Sequence, residues 1–226
     1  MSSISCNSMA KWLFLDCALE TAVAAVGDGE SVVALRQWAS RRAAETTTSE
    51  IGHLLSEARQ DPRDLEGLAW ASGPGSFTGL KIAAATIQAL AWIWRKPVAS
   101  VPHLAALAYS LREHQPVPVL ACRKAQPGLV FWCPYNVREG QWPEGRIRVT
   151  PPHEIELPAG RWKGVGDDPW SPHQSNLEDR LCDWVHESGS PVVSALALAE
   201  LARKEERLER PEGVRPLYVG RLGWPI

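Results

Sequence analysis

An apolar run, Leu65 to Ser72, leads straight into the glycine-rich segment Gly73-Pro74-Gly75-Ser76-Phe77-Thr78-Gly79, which opens into a helical pattern reaching Trp94. Strand, glycine loop, helix commits this part of the chain to an α/β arrangement. It also aims backbone N–H groups and a helix N-terminus at whatever lies before the loop. The spacing matches neither common phosphate loop. Gly73-x-Gly75-x-x-x-Gly79 is one residue too long for the dinucleotide fingerprint. Leu80 separates Gly79 from Lys81, where a Walker loop needs Gly-Lys-Ser/Thr. Spacing alone leaves both a phosphate cradle and a plain tight turn open.

Around this segment the pattern alternates between strand and helix. Lys11 to Ala18, Thr21 to Val26 and Ser31 to Trp38 read as strands, with turn chemistry at Gly27-Asp28-Gly29. Thr47 followed by Glu50 fits a capping box, and Ile51, Leu54, Leu55 and Ala58 then recur at helical spacing. Asp61-Pro62 stops this first helix. Strand four (Leu65 to Ser72) and helix two (Leu80 to Trp94) follow, then a strand at Val98 to Val101 and a helix at Leu104 to Arg112. In the second half, Val117 to Cys122, Leu129 to Tyr135 and Arg146 to Val149 read as strands. Residues 136–175 read as irregular loops with a short strand near Gly164-Val165-Gly166. Leu177 to Glu187 and Val192 to Leu208 read as helices.

Composition narrows the function. The chain has 226 residues and a formal net charge of −2, so no bulk attraction to nucleic acid or to a membrane surface is expected. The five cysteines are widely spaced with no Cys-x-x-Cys pair, and are expected as buried reduced thiols. The histidines His53, His103, His114, His153, His173 and His186 form no His-x-x-x-His pair, so no metal site is expected and each is read as surface or structural. Gly-x-Ser-x-Gly is absent, which removes the hydrolase elbow. No apolar run reads as long enough to cross a bilayer, and the first residues lack the basic start and apolar stretch of a signal peptide. A cytoplasmic location without membrane contact is therefore expected. The eleven tryptophans are read as core by default, with Trp142, Trp162, Trp170 and Trp224 as candidates for exposure.

Helix two carries two apolar stripes. Leu80, Ala84, Ile87, Ala91 and Trp94 form one; Ile82, Ala85, Ala89 and Ile93 form the other. Only one stripe can meet the sheet of its own domain, so the other needs a neighbouring helix or another chain.

The string Gly73-Pro74-Gly75-Ser76-Phe77-Thr78-Gly79-Leu80-Lys81 is distinctive as a whole. It resembles the signature loop of the bacterial tRNA threonylcarbamoyladenosine biosynthesis protein TsaB (YeaZ) family, with Lys81 in place of the usual Arg. Further likenesses are Trp12-Leu13-Phe14-Leu15-Asp16 to the family's opening strand, and Thr48-Ser49-Glu50 with Leu54-Leu55 to its first helix. Lys96-Pro97-Val98 through Leu104 and Arg215-Pro216-Leu217-Tyr218-Val219 also match. The likeness is strong over about residues 10–110 and at the C-terminus, and weak between Arg123 and Gly189.

The resemblance implies a two-lobed α/β fold of the actin-like ATPase superfamily (RNase H-like) with a reduced second lobe. The division expected is a disordered extension at 1–9, lobe one at 10–103, the reduced lobe at 104–190, and a helix and tail at 191–226 returning to lobe one. It implies a non-catalytic subunit that pairs with TsaD through helices one and two. The expected interface residues are Ile51, Leu54, Leu55, Ile82, Ala85, Ala89 and Ile93. TsaE is the implied third partner, self-pairing is expected in isolation, and tRNA is met only indirectly. No cofactor of its own is implied; ATP and Mg belong to the partner subunits. Asp16 and the loop Gly73 to Gly79 are the candidate nucleotide contacts. The family usually has Asp-Thr-Ser where this chain has Asp16-Cys17-Ala18, so both hydroxyls beside the acid are gone. An active ATPase or small-molecule kinase and a self-associating scaffold stand as alternatives.

Overall fold

Trp12-Leu13-Phe14-Leu15-Asp16 leaves no residue for a wet face, and a strand of that kind belongs inside a sheet covered on both sides. The computed structural model describes residues 11–167, 177, 180–187 and 189–220, and it buries all five residues of this strand, β1 (Trp12–Asp16). On one side β2 (Thr21–Gly27) and then β3 (Val32–Ala39) pair antiparallel; on the other β4 (Gly67–Gly73) and then β5 (Val98–Pro102) pair parallel. The order is β3-β2-β1-β4-β5. The helices α1 (Ala43–Glu57) and α2 (Phe77–Trp94) cover one face, packing Ile51, Leu54, Leu80, Ala83 and Ile87 onto Leu13, Leu15, Leu68 and Trp70.

The opposite face carries α3 (His103–Tyr109) and α4 (Val192–Lys204). Beyond these lies a second sheet of β6 (Val117–Lys124), β7 (Val130–Val137), β8 (Arg148–Thr150), β9 (Trp162–Gly166) and β10 (Leu181–His186). The largest core is this shared layer, where Phe14, Leu104, Leu107, Val119, Tyr135 and Leu196 are all sealed from water. In chain order the second sheet repeats the wiring of the first, running β8-β7-β6-β9-β10 with β7 antiparallel and β9 parallel to β6. The expected reduction therefore does not apply to the sheet, which keeps all five strands. Where the first unit has α1, between its third and fourth strands, the second has one 3-10 turn at Pro152–Glu154.

Several expectations need correction. Leu181–His186 is the strand β10 rather than a helix, because its backbone pairs in parallel register with β9. Thr47 is no helix cap. α1 begins at Ala43, and the Thr47 hydroxyl donates to the Ala43 carbonyl from inside the helix at 2.7 Å. Helix α2 has 18 residues and is apolar enough, by length and composition, to cross a membrane, yet its inner face is built into the core. Trp92 is exposed and Trp162 buried, the reverse of the default; Trp170 and Trp224 lie outside the described residues. Cys17, Cys122 and Cys133 are buried thiols, but Cys182 is exposed. The proposed extension at 1–9, Cys6 and His173 also lie outside the described residues.

After α4 the chain returns to the first sheet. Glu209 and Val98 exchange backbone hydrogen bonds of 2.8 and 3.0 Å at the outer edge of β5. Gln88 of α2 donates to the Pro211 carbonyl at 3.0 Å, Val214 enters the core beneath α2, and the Leu217 amide donates to the Ser72 carbonyl at 2.7 Å.

Candidate functional site

The glycine loop sits where β4 ends, beside the turn that follows β1. Each of its glycines faces a piece of this chain's own backbone. A Cβ on Gly79 would lie 1.9 Å from the Cys17 carbonyl oxygen, and one on Gly75 would lie 2.6 Å from the Ala18 Cβ. Gly73 has φ +121°, outside the range of ordinary side chains, and a Cβ there would lie 2.6 Å from the Leu217 carbonyl oxygen. The peptide bond between Gly73 and Pro74 is cis. Loop and turn are then tied by hydrogen bonds. The Ser76 amide donates to the Ala18 carbonyl at 2.9 Å, and the Ser76 hydroxyl caps α2 by accepting from the Gly79 amide at 3.3 Å. The three glycines are packed against the β1–β2 turn and the C-terminal segment. Phe77 and Thr78 point outward and are exposed.

Asp16 lies under this joint with no exposed surface. Its Oδ1 accepts from the Ala18 amide at 2.8 Å, while the Ser76 amide of the loop donates to the Ala18 carbonyl. Its Oδ2 faces the Nε2 of buried His103 at 3.5 Å. Beside it, burial pushes the Cys17 thiol up to about 12, helped by the Asp16 charge and opposed by the Thr47 hydroxyl, so no thiolate nucleophile forms there. Farther along the same layer Arg123, 4% exposed, donates to Asp167 and to the carbonyls of Glu187 and Gly189. Asp16 closes β1, Arg123 lies near the end of β6, and these strands are the central members of the two sheets. Sequence reasoning singled out Asp16 but not His103 or Arg123, whose partners come from elements far apart in the chain.

A cavity of about 370 Å³ opens between the lobes next to the loop, lined in part by Pro102, Tyr135, Trp142, Arg146, Leu217 and Tyr218. Its lining is largely apolar and aromatic, and the one carboxylate there, Glu144, is paired with Arg207. Among the described residues no group of three His, Cys, Asp or Glu side chains is placed to hold a metal ion.

The helix layer offers a different feature. Phe77, Trp92 and Ile93 of α2 are 56%, 57% and 71% exposed, and Ala85 and Ala89 are exposed between them. Lys81 sits over the Phe77 ring at 4.2 Å from its centre, and the Phe77 ring meets that of Tyr218 at 4.9 Å. Of the expected interface residues, Ala85, Ala89 and Ile93 lie together on this open face and Ile82 is half-buried. Ile51, Leu54 and Leu55 do not join them. They form the inner stripe of α1 and are buried against the sheet, since α1 has only one apolar stripe and the sheet claims it.

Comparison with known proteins agrees with this architecture. The family model "TsaD: tRNA N6-adenosine threonylcarbamoyltransferase" matches residues 36–143. The tRNA threonylcarbamoyladenosine biosynthesis protein TsaB of Buchnera aphidicola is 22% identical over 213 residues, covering 91% of this chain and 96% of that protein. The Escherichia coli protein of the same name is 28% identical over 161 residues, 68% of this chain and 70% of that one. Among solved structures, YeaZ from Pseudomonas aeruginosa superposes with a TM-score of 0.74 at 25% identity, covering 93% of this chain and 100% of YeaZ. Likeness in sequence along nearly the whole chain, joined to one fold over all of a solved relative, makes this protein similar to the TsaB (YeaZ) proteins.

Proposed function

We propose that this chain is the TsaB-type subunit of the machinery that makes threonylcarbamoyladenosine in tRNA, and that it acts by holding TsaD rather than by chemistry of its own. TsaD would carry out the transfer of the threonylcarbamoyl group to adenosine. The observation that carries this reading is the open apolar face of α2, where Phe77, Ala85, Ala89, Trp92 and Ile93 lie exposed on a helix whose other side is in the core. An apolar face of this kind marks a protein contact. The packed glycine joint and the sealed Asp16 support a scaffold over a nucleotide site, so ATP and Mg stay with TsaD and with the ATPase TsaE. In this reading the second lobe is a copy of the first trimmed of helices, tRNA is met through the partners, and the complex works in the cytoplasm.

The test is co-purification with TsaD from the same organism. Wild type is expected to hold TsaD. Ala89→Glu is expected to remain folded and lose it, because an unpaired charge inside an apolar contact costs roughly 2–5 kcal/mol of association. Retention of TsaD by the variant would move the interface elsewhere. Sedimentation of the chain alone reads self-pairing through the same face, which Ala89→Glu would also abolish.

A further inference from the structure

We propose that the cavity between the lobes is the seat of this chain's own C-terminal segment, with the Trp224 indole packed inside it as a strap across the two lobes. The cavity holds about 370 Å³. Pro102 and Ala105 wall it from the end of β5 and from α3, and Trp142 and Ile147 wall it from the β7–β8 connection. Leu217 and Val219 of the closing segment complete it. Trp142, Leu217 and Val219 pack on the core and yet stay only half-buried, so they still carry apolar surface to be covered. The carboxylate there, Glu144, is taken up by Arg207, whose guanidinium lies over the Trp142 ring at 5.3 Å from its centre. What fits such a space is an uncharged, apolar group.

The chain itself brings such groups to the cavity. Val219 is cavity wall, Gly220 follows it, and next come Arg221-Leu222-Gly223-Trp224-Pro225-Ile226, which lie outside the described residues. Leu222, Trp224 and Ile226 stand at every second position, with Arg221, Gly223 and Pro225 between them. Alternation of this kind gives a segment one apolar side when it is extended. Trp224 is four residues beyond Gly220. At full extension its backbone stays within about 14 Å of the wall it leaves. Glycines at 220 and 223 let the chain double back over that wall.

Tethering decides between this occupant and others. A ring fixed to the cavity's own wall meets it at a high effective concentration, which a free aromatic compound or a side chain of another protein lacks. Seating Trp224 takes the largest apolar side chain of the segment out of water and covers Trp142 and Leu217 in the same step. One side chain then touches walls contributed by both lobes. The arrangement reverses the sequence expectation that Trp224 is exposed. The seat also adjoins the open face of α2, because Tyr218, a further wall residue, meets the Phe77 ring at 4.9 Å.

The experiment labels the full chain with 5-fluorotryptophan and takes the Trp224 fluorine signal as the one lost in Trp224→Phe. That signal is expected to shift little between H2O and D2O, as a buried indole does, and to move in Ile147→Ala, which alters only the cavity wall. Leu217→Ala reads the same from another wall if Ile147→Ala does not fold. Trp224→Ala, and a chain ending at Gly220, are each expected to lower the thermal midpoint by about 3–8 °C. Most of that loss should vanish in the wall variant, since both changes remove one contact. A Trp224 signal with the full solvent shift would overturn the proposal whatever the midpoints. A buried signal that ignores both wall variants would place the indole elsewhere and overturn the cavity as its seat. Midpoints unchanged by both tail variants would overturn the strap. A signal exposed in the free chain and buried only on adding purified TsaD would make the segment a partner contact, and would overturn the choice made here while leaving the TsaD reading standing.

Discussion

Nε2 of His103, at the start of α3, stands 3.5 Å from Oδ2 of Asp16, at the end of β1, and neither side chain has more than 1% of its surface exposed. Neither ring nitrogen and not Oδ2 has a hydrogen-bond partner among the described atoms. Burial pushes the His103 imidazole below its ordinary value; Asp16 and Asp167 pull it up, and Arg123 pushes it down. The imidazole is therefore neutral in the fold. In the unfolded chain it takes up a proton as pH falls below about 6.5. The unfolded state then binds the extra proton, so stability declines with acid, by at most about 1.4 kcal/mol per pH unit from this one group. The thermal midpoint of wild type is expected to fall between pH 7.5 and 5.5, and that of His103→Gln to fall less. Equal slopes would remove His103 as the cause.

The glycine joint gives a second expectation. Gly79→Ala places its Cβ on the Cys17 carbonyl and so forces the β1–β2 turn away from the loop. A loss of about 2–4 kcal/mol is expected in urea unfolding. An unchanged midpoint would mean that loop and turn are not held in contact.

Leu54 separates core from interface. It has no exposed surface and packs in the layer between α1 and the sheet. Leu54→Ala is expected to cost about 2–5 kcal/mol of folding stability through the cavity it leaves. At a temperature where the variant is folded, its affinity for TsaD should match wild type, whereas Ala89→Glu should show the converse pattern.

Asp16 is expected to serve the fold and not turnover. The purified chain should release no phosphate from ATP with Mg present, and Asp16→Asn should lower the thermal midpoint without changing that background. ATP hydrolysis abolished by Asp16→Asn would restore the kinase-like alternative.

Much of lobe one was legible because its signals are local. The run of apolar residues in β1, the turn at Gly27-Asp28-Gly29 and the two stripes of α2 each report a structure made within a few residues. The second half was harder for a physical reason. Leu181–His186 carries Leu, Trp and Val at positions that suit a helix as well as a strand, and only pairing with Trp162–Gly166 decides between them. The start of α1 was obscured because Arg42 precedes it with no side-chain cap, while Thr47 and Glu50 imitate one a turn later. For the site, Asp16 and the loop were readable from the string itself. The glycines' use was not, because what fills them comes from Cys17, Ala18 and Leu217. Ile51, Leu54 and Leu55 were misassigned to the interface because an apolar stripe states that it is covered, not by what.

The return of the chain to β5 and β4 bears on the order of assembly. Val98 exchanges its outer hydrogen bonds with Glu209, and the Ser72 carbonyl accepts from the Leu217 amide. Synthesis proceeds from the N-terminus, so the first sheet is made early yet waits through more than a hundred residues for the segment that seals its edge and its glycine joint. Contacts this far apart in sequence form slowly. A nascent chain stalled after α3 would carry an open strand edge at β5, a site for unwanted pairing with other strands. Lobe one is thus the first part of this protein to be written and the last to be closed.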